Sequence, residues 1–279
     1  MVVAPGVYDG FTARLALNVG FDALYMTGFG TSLSRIGWPD LGLATASDMI
    51  ANASLIANLD PSIPLIADAD TGYGGPIAVA RTVSQYIQAG VAAFHLEDQV
   101  QTKRCGHLLG KELVTKEEFV SRIKAAVEAR TRAQSDIIII ARTDALAGPG
   151  FDEAIERLRA AIGAGADVAF LEGIRNEAQA TAVCEIMGET PMLLNLVPGG
   201  LTPNWSMRQA QDLGFRMTIV PLMLLEASQK ASTEALKALK SDGKVNYGEK
   251  GPRGLSELCG LKDAMKIDEI SGGKALGSI

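Results

Sequence analysis

Asp68 and Asp70 stand two residues apart within residues 64–75, PLIADADTGYGG. On a strand that spacing sends both carboxylates out of one face, with backbones ~6.6 Å apart. Two carboxylates at about 4 Å repel by roughly 4 kcal/mol at an effective dielectric of about 20. Either one is protonated or a cation lies between them. Hard oxygen donors at a strand end suit Mg²⁺, which takes one or two carboxylates and keeps waters for a substrate to displace. A solvated acidic turn is the plain alternative for this stretch alone. Cys105 is a second chemical candidate, preceded by Lys103 and Arg104 and close to His107. Cationic surroundings lower a thiol pKa and make it a proton carrier or a nucleophile. An inert small hydrophobe is the alternative, but this cysteine lies in a polar run. Cys184, on an apolar helical face, and Cys259, expected in a terminal helix, read as inert. His95, inside a strand pattern, reads as a satisfied core histidine.

Those side chains need elements to hold them. Residues 65–67 form the apolar run of a strand buried on both faces, and Gly72, Gly74 and Gly75 then turn the chain. Further strands are predicted over 2–7, 23–27, 91–96, 136–141, 168–171, 192–194 and 217–220. Helices are predicted over 11–19 (capped by Asp9), 46–58, 77–89 (closed by Gly90), 151–164 and 176–187. The strands end in Thr27-Gly28, the two aspartates, Glu97-Asp98, Arg142-Thr143-Asp144, Glu172-Gly173, Asn195 and Pro221. Eight strand-then-helix units with short links imply an α/β protein whose parallel sheet closes into a (β/α)8 TIM-type barrel. Such barrels place their sites at strand C-termini, where all these polar residues fall. An open doubly wound sheet is the alternative, but no GxGxxG opens a helix after the first strand. Residues 1–279 read as one barrel domain. The connection over 99–114, QVQTKRCGHLLGKELV, is long and polar, with Gly106 and Gly110 available as hinges, and reads as an active-site lid.

Composition narrows the function classes. The chain has 279 residues, 47% hydrophobic, with 30 glycines and a net charge of −6. Its cations are scattered, which argues against nucleic acid and against an anionic membrane surface. Three distant cysteines with no CxxC favour a reducing compartment, and no apolar run reaches the ~18 residues of a membrane span. The expected location is the cytoplasm, with mitochondria compatible because the chain begins directly at its first strand.

The succession DADTGYGG, HLEDQ, KRCGH, ARTDA, LEG and LLN resembles the isocitrate lyase and phosphoenolpyruvate mutase superfamily over almost the whole chain. KRCGH resembles its carbon–carbon lyase branch, and VAPGVYDG and GVAAFHLEDQVQTKRCGH resemble fungal 2,3-dimethylmalate lyase-like and oxaloacetate hydrolase-like members. The resemblance implies the same barrel, assembled as a homodimer or homotetramer with a C-terminal helix, within 254–279, swapped between subunits.

It also implies roles. Asp68 and Asp70 would hold Mg²⁺ (or Mn²⁺), with Asp40 and Glu97 in its outer shell. Thr27, Gly28 and Phe29 would bind the carboxylate of a pyruvate-like or glyoxylate-like fragment. Arg142 would bind and polarise the substrate, and Glu172, Asn195, Gly106, His107 and Pro221 would add contacts. Cys105 would protonate the departing enediolate. The hydroxyl proton would leave to Tyr25 or to a metal-bound water. The chain departs from its relatives' patterns at Pro198, Pro221 and Glu226. Glu226 stands where the resemblance expects an arginine to pair with an extra carboxylate, so it would repel a third negative charge. Pro221 offers no hydroxyl to a hydrated oxo acid, and Pro198, Leu201 and Met223 make the same wall more apolar. Together these suit an alkyl-substituted 2-hydroxy-dicarboxylate over a tricarboxylate or oxaloacetate. A non-catalytic metabolite-binding barrel is the second functional class.

Overall fold

The computed structural model describes residues 1–106, 108, 110–243 and 251–274. Its strands are β1 (Val2–Val7), β2 (Leu24–Met26), β3 (Leu65–Asp68), β4 (Ala93–Glu97), β5 (Ile138–Thr143), β6 (Val168–Leu171), β7 (Met192–Asn195) and β8 (Met217–Val220). All pair in parallel and in sequence order, and β8 returns to β1, so the sheet is a closed barrel. Helices α1 (Gly10–Val19), α3 (Ala46–Ala57), α4 (Pro76–Gln88), α5 (Lys116–Arg132), α6 (Phe151–Gly163), α7 (Glu177–Met187) and α8 (Met207–Asp212) link the strands. A short α2 (Gly28–Thr31) and a π-helical turn (Ser32–Ile36) follow β2.

Period-two alternation explains why polar groups collect at one end. Tyr25, Ile66, Ala93, Ile140, Phe170, Leu193 and Ile219 pack inside the barrel, while Ala67, Phe94, Leu96 and Ala141 belong to the layer beneath the helices. Continuing each inward row by one pleat, or by two in β4 through His95, brings Thr27, Asp68, Glu97, Arg142, Glu172, Asn195 and Pro221 to the rim. Three predicted boundaries shift for the same reason. β4, β5 and β7 run on through Glu97, Thr143 and Asn195. The backbone ladder does not stop where a side chain becomes polar, and Glu97 pairs in register with Arg142.

Helix ends follow their caps. Asp9 and Thr45 form capping boxes at α1 and α3, and Gly20 closes α1 in the left-handed region at φ 92°. The C-terminal region differs from the single helix expected over 254–279. After α9 (Met223–Asp242) come α10 (Gly251–Leu258) and α11 (Leu261–Ile270), broken at Gly260 with φ 90°. Cys259 therefore lies in an exposed turn between helices, not within one. None of the three helices has a buried residue, and Leu236, Leu239, Leu255, Ile267 and Ile270 are exposed.

Candidate active site

A cavity of about 40 Å³ at the rim is lined by Tyr25, Thr27, Phe29, Asp40, Asp68, Cys105, Gly106, Arg142, Glu172, Asn195, Val197, Pro221 and Leu222. Eleven of the sequence-derived candidates thus surround one space, with Val197 and Leu222 added and Phe29 and Pro221 completing an apolar side. His107 lies outside the described residues. Asp70, Glu97 and Gly28 sit just behind the lining: Gly28 N–H donates to Asp68 Oδ2 at 3.2 Å and Asp70 N–H to Asp68 Oδ1 at 2.9 Å. A Cβ at Gly28 would collide with the Asp68 carboxylate, so glycine is required there by close approach.

On the β3 side, Lys103 is buried between Asp40 (2.9 Å) and Asp70. The sequence placed Lys103 beside the thiol; the structure turns its ammonium away, into the carboxylates. Burial pushes the Asp70 carboxyl up to about 6, while Lys103 partly opposes that rise. Burial would likewise raise Asp68, but His95, Lys103 and Arg142 overcome it and lower its pKa. Asp70 itself adopts φ 46°, which turns it out of strand geometry. Its carboxylate can therefore meet Asp40 and Lys103.

On the β5 side, Arg142 Nε and Nη2 donate to Asp144 at 2.9 and 3.2 Å. Its guanidinium also lies 3.2 Å from Glu97 and 3.5 Å from Glu172, and 5.3 Å over the Phe170 ring. Burial opposes the charge on Asp144, yet Arg142 and Lys111 hold its pKa down to about 2. Behind it, Asp98 accepts from Thr143 (2.6 Å), the Asp144 N–H (2.9 Å) and Arg157 (3.2 Å). Because Asp98 follows the inward-facing Glu97, the pleat sends it outward to α6. Asp98, Asp144, Lys111 and Arg157 were not singled out as site residues; only the ED and RTD pairs at strand ends hinted at them.

Three expectations change. His95 is not fully satisfied: Nε2 bonds the Tyr25 hydroxyl at 2.9 Å, but Nδ1 has no hydrogen bond and lies 3.6 Å from Asp68. Burial drops its pKa to about 4, so it is neutral. Tyr25 is a poor base, because burial and Asp68 raise its phenol well above 10. Glu226, Pro198, Leu201 and Met223 are all exposed and do not line this cavity. Helix α9 starts at Met223, and its first turn carries Glu226 out to solvent. Cys184 fits its inert reading, with burial pushing the thiol up to about 11.

The connection over 99–114 folds across the cavity. Its neck is pinned by a Gln99–Leu113 bridge, with Val100 N–H donating to Glu112 O and Val114 N–H to Asp98 O. Gly106 lies directly on Arg142, where a Cβ would collide with Nη2. The remaining space is about that of one water.

The donor set fits Mg²⁺. No group of three or more His, Cys, Asp or Glu among the described residues forms a preassembled cage. Mg²⁺ instead takes one or two carboxylates and retains waters. The buried acids Asp40, Asp68, Asp70 and Glu97 face two cations, Lys103 and Arg142, and Arg142 is shared with Asp144 and Glu172. Burial pushes Glu97 up to about 8, and its Oε2 has no hydrogen bond. A dication would supply the positive charge this cluster lacks.

Known proteins resemble this chain over most of its length. The family model for phosphoenolpyruvate phosphomutase matches residues 1–240. The 2,3-dimethylmalate lyase of Eubacterium barkeri is 44% identical over 278 residues, 99% of this chain and 94% of that protein. The 2-methylisocitrate lyase of Shewanella oneidensis is 39% identical over 85% of this chain and 80% of its own length. Among solved structures, a 2,3-dimethylmalate lyase superposes with TM-score 0.98 at 54% identity, covering 99% of this chain and 92% of that one. An oxaloacetate acetylhydrolase bound to 3,3-difluorooxalacetate gives 0.97 at 52%, covering 99% and 93%. A phosphonopyruvate hydrolase complexed with oxalate and Mg²⁺ gives 0.84 at 29%, covering 96% and 93%. With the barrel, the strand-end acids, the loop cysteine and these likenesses together, the chain belongs to the phosphoenolpyruvate mutase/isocitrate lyase superfamily, among its carbon–carbon lyases.

Proposed function

We propose that this lyase cleaves the C2–C3 bond of an alkyl-substituted 2-hydroxy-dicarboxylate, of the 2,3-dimethylmalate type, to pyruvate and a short carboxylic acid. The observation that carries the choice is the cavity wall. Phe29, Val197, Pro221 and Leu222 are apolar, and Arg142 is the one cation among the described lining residues. A third carboxylate, as in a methylisocitrate, would be buried without a counter-ion, at a cost of several kcal/mol. Pro221 offers no hydroxyl to a hydrated oxo acid. The wall thus supplies the substrate preference once assigned to Glu226.

Asp68 and Asp70 would hold Mg²⁺, with Asp40 and Glu97 further out; when bound, it supplies Lewis-acid polarisation of the substrate oxygens. Thr27 Oγ accepts from Gly30 N–H at 3.2 Å and keeps its own proton to donate to the substrate carboxylate, beside the Phe29 N–H. Arg142 offers fixed positive charge in a space from which the 99–114 lid excludes water. Asn195, anchored through Nδ2 to Glu172 at 3.0 Å, presents an unpartnered Oδ1 to the substrate hydroxyl. Tyr25 acts as a hydrogen-bond donor, and the hydroxyl proton would leave to a water in the site rather than to the phenolate. Cys105, carried in by the lid, protonates the carbanion of the leaving acid as general acid. Because the closed cavity holds about one water, the lid must withdraw to admit substrate.

The exposed apolar residues of α9–α11 support assembly into a homodimer or homotetramer through a swapped C-terminal helix. No described helix is long and apolar enough to cross a membrane, and Cys105, Cys184 and Cys259 are thiols rather than disulfides, in keeping with a cytoplasmic enzyme. The test is pyruvate release from a panel of hydroxy-dicarboxylates with Mg²⁺. An alkylmalate should give the highest kcat/KM. A tenfold preference for oxaloacetate or 2-methylisocitrate would overturn the substrate reading, since a methyl in a pocket is worth only about 1–3 kcal/mol.

A further inference from the structure

Lys111 lies on the returning arm of the 99–114 connection and does not line the cavity. Its side chain is nevertheless 4% exposed, and the Asp144 side chain it reaches is fully buried. Nζ donates to Asp144 Oδ1 at 2.7 Å and to the Gly106 carbonyl at 2.6 Å. Two features of the loop's closed position therefore converge on one ammonium. The Gly106 carbonyl belongs to the tip that lies against Arg142, and Asp144 is the bidentate partner of that same arginine.

The sharing at Asp144 has an electrostatic consequence. Arg142 Nη2 donates to Oδ1 at 3.2 Å, the oxygen that Lys111 also binds, while Nε donates to Oδ2 at 2.9 Å. With the loop away, the full charge of Asp144 falls on Arg142. With the loop closed, two cations divide that charge, and more of the guanidinium's positive field is directed into the cavity. The lysine's own fixed charge arrives only on closure.

We infer that Lys111 is a positioning residue that couples lid closure to the electrostatic strength of Arg142, through Asp144 and the Gly106 carbonyl. This rests on the lyase reading above, in which Arg142 stabilises negative charge as the bond breaks. Lys111 touches neither substrate nor reacting atoms, so its effect falls on kcat more than on KM.

The experiment compares the full chain with Lys111→Met, Lys111→Gln, Lys111→Arg and Lys116→Met. Lys116 pairs with Glu156 at a largely exposed site and controls for loss of a lysine. Two readouts are taken with Mg²⁺ present: kcat and KM for the preferred hydroxy-dicarboxylate, and the rate of tryptic cleavage after the exposed Arg104. Lys111→Met and Lys111→Gln should lose roughly 10- to 100-fold in kcat, with KM within about threefold. Cleavage after Arg104 should quicken in both, whereas Lys111→Arg should recover most of the rate and the protection. Lys116→Met should match the wild type on both counts. An unchanged kcat in Lys111→Met, unchanged cleavage, or a Lys111→Arg as slow as Lys111→Met overturns the inference. Should the wild type turn over no hydroxy-dicarboxylate, the lyase reading fails by itself. The latch is then decided by proteolysis alone, faster cutting supporting it and equal cutting refuting it.

Discussion

In the connection after β2 and just beyond the end of β3, the carboxylates of Asp40 and Asp70 share one ammonium, Lys103. At the end of β5 one carboxylate, Asp144, is shared by two cations, Arg142 and Lys111. The pKa values record the contrast: burial drives Asp70 up to about 6, whereas the cations hold Asp144 near 2 against the same burial. One half of the rim is short of positive charge, which the proposed Mg²⁺ would supply. The other already carries positive charge, fixed in place, which under the proposed mechanism would meet the anion formed as the bond breaks. Burial costs both halves alike, so what separates their chemistry is the number of cations the fold delivers.

The largest expected effect breaks the first half. Chelation by EDTA, or Asp70→Ala with Mg²⁺ present, should abolish measurable pyruvate release while far-ultraviolet circular dichroism stays unchanged. Full turnover under either condition would mean that the acid cluster holds no catalytic metal. The same half gives a pH signature. Asp70 has a folded pKa raised above its unfolded value near 4, so without metal its charging costs stability as pH rises from about 4 to 6. Mg²⁺ binds the charged form, so the rise in Tm on adding it should be greater at pH 7 than at pH 5. A rise that does not depend on pH would sever Asp70 from the metal.

Next comes Cys105→Ser, expected to lower kcat by roughly 10²- to 10⁴-fold with normal folding. It tests whether the lid brings chemistry to the rim or only covers it. A near-wild-type rate would leave Arg142 and the metal as the whole machinery.

The second half is tested through Asp144. Its folded pKa, about 2, lies below the unfolded value, so its ionisation stabilises the protein above about pH 4, and that stability is lost as pH falls from about 4 to 2. Asp144→Asn should therefore lower stability by about 2 kcal/mol at pH 7, measured by urea unfolding, and flatten the acid limb of the stability curve. An acid limb as steep as in the wild type would show that the charge on Asp144 is not what holds Arg142.

How much of this was legible follows from the pleat. A polar residue one step beyond an apolar alternation must face the same way as its predecessors, so Asp68, Glu97, Arg142, Glu172 and Asn195 could be read as one ring from spacing alone. Partnership across elements has no such period. Lys103 and Lys111 stand eight residues apart in one loop, yet one side chain reaches the β3 acids and the other Asp144. Nothing local distinguishes them, because the fold of the loop decides which carboxylate each meets. His95 was half read. Its burial followed from the strand pattern, but its tie to Tyr25 depends on register between β2, β3 and β4.

Glu226 supplies the smallest effect and the sharpest test of where selectivity resides. By resemblance it stands where an arginine was expected beyond the last strand, and proximity to Pro221 makes it look like a wall residue that repels a third carboxylate. In the fold, α9 begins at Met223, and Glu226, one turn on and on the same face as the exposed Met223, projects into solvent. An exposed charge outside the cavity interacts through water and salt, where a pair is worth about 1 kcal/mol or less. Glu226→Gln should accordingly shift the ratio of kcat/KM between an alkylmalate and 2-methylisocitrate by less than about twofold at physiological salt. Val197→Arg, which introduces a second cation into the lining, should move the same ratio toward the tricarboxylate. If Glu226→Gln moved the ratio tenfold and Val197→Arg left it unchanged, selectivity would lie on the α9 surface and not on the apolar wall.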